Sequence, residues 1–324
     1  MSPSLRLVEA FPAMTLQDLG RFGFQRFGVP PAGAIDAQSL QAANMIVGNA
    51  PGMACIEITL RGGSFALDAE SARVAVAGGQ FPVSVNGAVV GPWRSVLLRR
   101  GDRLSIGMAF AGVRGYLAVE GGFAVEPFMG SHSSYLRAGM MSLPGQPLAS
   151  GAVLPLARAA AEERPEVALP VAELRRPEDP MRVVLGPQDD YFSREGVRTF
   201  LSRAFRIAAD SDRMGYRLSG PTIQHARSPN VVSDGSTFGS VQVPGAGHPI
   251  ILMVDRGTTG GYPKIATVIG ADLPRLAQRR PGEFLRFQAV SIEEAHAALL
   301  LQRSWIDGIP RRLLPVDAFL PRPR

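Results

Sequence analysis

Hydrophobic and polar positions along this chain alternate in short bursts, and stretches at helical period are few. Leu5-Arg6-Leu7-Val8-Glu9-Ala10 reads as a strand. From Ala54 to about Gly122 the pattern is all short strands: Val74-Ala75-Val76-Ala77, Val83-Ser84-Val85, Leu104-Ser105-Ile106 and Tyr116-Leu117-Ala118-Val119. Between them, Asn86-Gly87 predicts a tight hairpin, because both central residues of such a turn need positive φ. A second strand-rich block opens at Arg182-Val183-Val184-Leu185 and closes at Phe284-Leu285-Arg286-Phe287. Close spacing of short strands argues for barrels or sandwiches.

Helices are expected at three places. Leu40, Ala43, Ile46 and Val47 recur at helical spacing behind Asp36, an N-cap candidate, and Gly48-Asn49 supplies the stop. A second helix is expected near Arg194 to Ser202. A third runs from Ile292 to Gln302, with Ser291 and Glu294 as a capping box. Pro30-Pro31-Ala32-Gly33 reads as a type I turn. Between Pro144 and about Pro180 the chain loosens into Ala, Glu, Arg and Pro. This divides it into a strand-rich half at 1–145, a connection at 146–180 and a second strand-rich half at 181–324. Arg100–Ile106 and Pro281–Phe287 are each a Gly-acid turn entering a strand, a trace of duplication.

Composition sharpens the picture at one position. Of 34 basic residues a single one, Lys264, is lysine. Arginine serves wherever a generic positive charge is needed, so Lys264 stands out as a compact ammonium with a movable pKa. It ends the run Gly257-Thr258-Thr259-Gly260-Gly261-Tyr262-Pro263-Lys264, whose glycines and hydroxyls suit an anion nest. The Walker A spacing is absent. Two further polar clusters are candidates: Gln17, Asp18, Arg21 and Asp36 among glycines and prolines, and Asp210-Ser211-Asp212-Arg213 before a strand. Asp36 has its capping role as an alternative, Asp18 and Arg21 can pair with each other, and Asp212 can stabilise a turn.

Other classes recede. The net charge is +6 with no basic run, which argues against nucleic-acid binding. The four histidines have no metal-ligand spacing, and the single cysteine, Cys55, excludes an intrachain disulfide and reads as a buried thiol. The N-terminus has no signal-peptide pattern, and Ile250–Val254 is too short to cross a bilayer. A cytoplasmic protein is expected.

Three stretches carry a resemblance. They are Thr15–Arg21 with Gly28–Asp36 and Ala43-Asn44 to Gly48-Asn49, Ser211–Leu218, and Thr258–Lys264 with Ala271–Gln278. Together they resemble the biotin-dependent carboxyltransferase-like family, also called allophanate hydrolase subunit 2. The Gly-Gly-Tyr-Pro-Lys ending is similar to the branch that supplies the C component of 5-oxoprolinase. The resemblance implies a mainly β fold of two cyclophilin-like β-barrel halves with a few short helices and a site between them. It implies a B-like partner chain, a separate A-like chain, a heterotetramer, and ATP-dependent opening of 5-oxoproline or a related lactam to glutamate. ATP would be shared with or bound through a partner. Lys264 would be catalytic, with Thr258, Thr259, Gly260, Gly261, Tyr262, Arg21, Asp18, Asp36, Asp212 and Arg213 binding substrate or anion and no metal in the chain. Two alternatives stay open: a carboxyltransferase component of a urea or amide carboxylase, with biotin on a partner, and a non-enzymatic regulator resembling a kinase-inhibitor antagonist. The chain departs from the family pattern at Ala32, Ile35 and Gly257.

Overall fold

Strands dominate the computed structural model of the chain, which describes residues 2–11, 14–140, 148–170 and 180–319. The residues fall into two units. One comprises residues 1–21, 36–174 and 305–324; the other comprises 22–35 and 175–304. Of the connection expected at 146–180, residues 146–147 and 171–179 lie outside the described residues.

Two antiparallel sheets form the body of the first unit, and Val167–Ala168 pairs separately with Leu314–Pro315. One runs, in spatial order, Val153–Pro155, Ser4–Glu9, Ser64–Leu67, Arg103–Ile106, Val83–Val85, Ala88–Val89. The other runs Thr15–Gln17, Cys55–Thr59, Ala111–Val119, Ser71–Gln80, Ser95–Arg99. Alternation along the strands sends Leu5, Leu7, Phe65, Val74, Val76, Leu104 and Leu117 into one core. The hairpin forms as expected, with Asn86 at φ 50° and Gly87 at φ 86°. The helix Ala37–Ile46 starts at Asp36, whose carboxylate accepts from the Ser39 amide at 2.9 Å. Cys55 is fully buried, and burial pushes its thiol pKa far above the ordinary range.

A buried polar cluster ties the segment after Val153–Pro155 to this unit. Arg73, in the strand Ser71–Gln80, is 1% exposed. Its guanidinium donates to Glu120 at 2.6 Å, Glu166 at 2.9 Å, and the carbonyls of Glu162 and Arg164 at 3.0 and 2.9 Å. A planar five-donor fork can serve four acceptors at once, which no other side chain does.

The second unit is built on one eight-stranded sheet: Phe284–Leu285, Phe205–Ile207, Gly215–Ser219, Ile250–Leu252, Ser240–Gln242, Lys264–Val268, Met181–Leu185, Phe287–Ala289. The two edge strands are separated by Arg286 alone, so one continuous stretch of chain forms both edges and the sheet comes close to closing into a barrel. All pairings are antiparallel except Met181–Leu185 with Phe287–Ala289. Val183, Phe205, Val241, Ile251, Ile265 and Phe287 fill its core. The helices Arg194–Ser202 and Ile292–Asp307 lie where expected, and Ser291 and Glu294 exchange both bonds of the capping box.

One turn differs from expectation. Ala32 has φ 52°, and Gly33 follows at φ 88°. The third position of a type I turn has φ near −90°, so the turn at Pro30–Gly33 is not of that type. The sequence signal failed because Ala at this position gives no hint of a left-handed backbone.

Candidate functional site

Lys264 opens the strand Lys264–Val268, a central strand flanked by Ser240–Gln242 and Met181–Leu185. Central position buries it: the side chain is 3% exposed. The ammonium donates to Asp234 Oδ2 at 2.8 Å and to the Gly235 carbonyl at 3.1 Å. An ammonium has three donors, and the third has no protein acceptor among the described residues. Gln188 braces the same position. Its Oε1 accepts from the Lys264 amide at 3.0 Å, its backbone amide donates to the Lys264 carbonyl at 3.1 Å, and its Nε2 donates to Asp234 at 3.3 Å. The hydrogen bond from Lys264, followed by the Gly235 amide, holds the half-exposed Asp234 carboxyl below the usual range. The Asp234 carboxylate therefore stays charged through neutral pH.

The Gly-rich loop takes a form other than the expected nest. Gly257, Gly260 and Gly261 are not in the left-handed region. Thr259–Gly260 instead forms a two-residue strand paired with Asp234–Gly235. Ser236 ties the ribbon down: its amide donates to the Thr258 carbonyl at 3.0 Å and its hydroxyl to the Gly257 carbonyl. The Gly261 carbonyl accepts from the Val231 amide, and Tyr262 is exposed. Gly260 is glycine for a steric reason. A Cβ there would sit 2.3 Å from Gln242 Nε2.

Gln242 pairs across the ladder with Lys264, just past a register shift between Val241 and Gln242. Residues directly opposed on antiparallel strands lie on the same face. Gln242 is buried, and its Nε2 has no hydrogen-bond partner among the described residues. Gln242 and Gln188 carry no signal in the sequence: Gln242 is a polar residue inside a buried strand, which forms no local motif.

The other second-unit candidates have structural partners. Asp212 Oδ1 accepts from the amides of Met214 and Gly215 at 2.8 and 3.2 Å, as in a self-stabilised turn. Arg213 forms a two-point contact with Asp255 at 2.9 and 3.0 Å and donates to the Gly33 carbonyl at 2.8 Å.

In the first unit, Asp18 and Arg21 turn to different partners instead of bonding each other. Asp18 accepts from the hydroxyls of Ser131 and Ser133 and from the amides of His132 and Gly20. Arg21 is 1% exposed and donates to the carbonyls of Phe128 and Ser133 at 3.0 and 2.9 Å. Its Nη1 has no partner among the described residues. These contacts join Thr15–Arg21 to the loop at 128–134. Asp36 acts as the cap described above, and its amide donates to the Tyr116 hydroxyl at 2.8 Å.

Burial raises the Asp18 pKa, but the Ser133 and Ser131 hydroxyls and the two amides outweigh it, and the net shift is downward. A depressed carboxylate pKa adds stability above the unfolded value, about 3.9. That stability is lost as pH falls through the lower folded value. Asp18→Asn is expected to cost about 1.5–3 kcal/mol at pH 7, the worth of hydrogen bonds to a charged group. The gap between variant and parent should shrink below about pH 4, as measured by denaturant midpoints at pH 7 and pH 3. An equal gap at both would show that the charge contributes nothing.

Residues 27–289 match the model of the carboxyltransferase domain, subdomain A and B. The chain belongs to this carboxyltransferase family. Within it, the chain is 37% identical over 297 residues to the C component of 5-oxoprolinase from Haemophilus influenzae, covering 92% of this chain and 94% of the relative. It is 35% identical over 312 residues to the C component of 5-oxoprolinase from Escherichia coli, covering 95% and 98%. The fold of this carboxyltransferase-family chain matches the K. lactis urea amidolyase structure with a TM-score of 0.88 at 28% identity, covering 97% of this chain. It spans about a fifth of that protein, 21%. Among the described residues no helix is long and apolar enough to cross a membrane, and no cluster of three or more His, Cys, Asp or Glu is placed to hold a metal.

Proposed function

We propose that this chain is the C component of an ATP-dependent 5-oxoprolinase, working in the cytoplasm with a B-like chain in a heterotetramer and with a separate A-like chain. The reaction adds water across the ring C–N bond of 5-oxoproline or a related lactam. The carbonyl carbon becomes a carboxylate and the ring nitrogen an amine. Near-complete coverage of two 5-oxoprolinase C components carries the reading.

The residues supply a chemical part for it. Attack on a lactam carbonyl drives negative charge onto its oxygen, and a buried donor stabilises that charge best. Lys264 offers one ammonium N–H beyond those held by Asp234 and Gly235. The Thr259–Gly260 backbone is extended and does not form a phosphate cradle, and ATP would bind on or be shared with a partner chain. A second reading, carboxyl transfer from biotin on a partner, is favoured by the urea amidolyase match.

Co-purification with the B-like chain, addition of the A-like chain and assay of ATP hydrolysis tests the proposal. ATP turnover that depends on 5-oxoproline and on all three chains is expected. Full lactam hydrolysis by the isolated chain would refute the partner requirement. Avidin-sensitive carboxylation without lactam opening would establish the second reading.

A further inference from the structure

A neutral donor that is buried and unpaired needs an explanation. Leaving one unsatisfied costs about 1–3 kcal/mol, and native structures keep few of them. Gln242 Nε2 is such a donor. It lies against Gly260, where an added side-chain carbon would sit 2.3 Å from it. Its cross-strand partner is Lys264, which holds a second unfilled donor.

One element covers both. The ribbon of Asp234–Gly235 and Thr259–Gly260 supplies the two acceptors that occupy Lys264, and its Gly260 sits on Gln242. The ribbon is short, two residues per strand, and Asp234, Gly235 and Thr259 face solvent. Short exposed ladders open at low cost. An outward shift of the ribbon would uncover both donors together.

We propose that Gln242 Nε2 and Lys264 Nζ form a two-donor subsite for one carbonyl oxygen of a small cyclic amide, reached when the ribbon moves out. This rests on the lactam reading above and adds to it the second donor and its cover. Gln242 is left unpaired in the free protein so that its amide is available to the ligand. The free protein carries that penalty, and the oxygen of the ligand relieves it on binding.

That trade gives the test. Gln242→Met removes the amide with little change in volume, so an unsatisfied donor disappears and the free protein should melt at the same or a higher temperature. In the assembled complex, kcat/KM for 5-oxoproline should fall about 10–100-fold, the worth of a hydrogen bond to a charging oxygen. The thermal shift induced by 5-oxoproline should be lost. Gln242→Glu keeps the shape and should also lose activity, since a carboxylate presents no donor and competes for Lys264. A Gln242→Met protein that melts lower and keeps kcat/KM would make Gln242 structural and overturn the proposal. Unchanged kcat/KM in both variants, with an active parent complex, would overturn it while leaving the lactam reading intact. A parent complex that does not act on 5-oxoproline would remove that reading and this subsite with it.

Discussion

Lys264→Ala is expected to lower the rate of the assembled complex by about 10²–10³, the usual effect of removing one oxyanion donor. The protein should still fold. Breaking a buried ion pair costs about 3–5 kcal/mol when the remaining charge stays buried, but Asp234 is half exposed and water can take over its solvation. Lys264→Arg should rescue little. The planar fork needs more room than the ammonium leaves between Asp234 and the Gly235 carbonyl, and it cannot release a proton. Steady-state rates and melting curves of both variants check this. Full activity in Lys264→Ala would return the lone lysine to chance.

The largest effect on stability is expected at Arg73. Arg73→Met should destabilise the protein by about 3–5 kcal/mol, because the buried Glu120 loses its 2.6 Å partner while three further acceptors go unfilled. Arg158 and Arg164 stay near Glu120 at 3.5 and 3.9 Å, which favours the lower end of that range. The midpoint of thermal unfolding should drop by roughly 6–20 °C. Arg73→Lys should recover little, since one ammonium cannot reach acceptors spread around a fork. A midpoint within a degree or two of the parent would show that the segment at 158–166 is held by other contacts.

Local signals read well where one residue type is required by backbone geometry or by capping. Asn86-Gly87 was legible because two consecutive left-handed residues tolerate few side chains, and both adopt positive φ. Asp36 and the Ser291–Glu294 box were legible because helix starts need side-chain acceptors. Alternation exposed the strands, since period two follows from the pleat itself. The turn at Ala32 escaped because nothing in its neighbours marks a positive φ.

The candidate site divides along the same line. Lys264 was visible from composition alone, because a lone lysine among arginines needs no neighbours to be conspicuous. Its surroundings were not. Gln242 and Asp234 lie 22 and 30 residues before it in sequence, and they meet it through a strand ladder and a two-residue ribbon. None of the glycines that suggested a nest is left-handed, Gly260 lies in a two-residue strand, and it is small to admit an amide. Residues 22–35 and 305–324 likewise leave the unit that holds their sequence neighbours. Runs of a few adjacent residues were enough for the strand-rich class, the caps and the conspicuous lysine, since each depends on local geometry or composition. Which polar groups share a buried face was settled by the folded chain alone, because register and sheet order are set by the summed packing of distant strands.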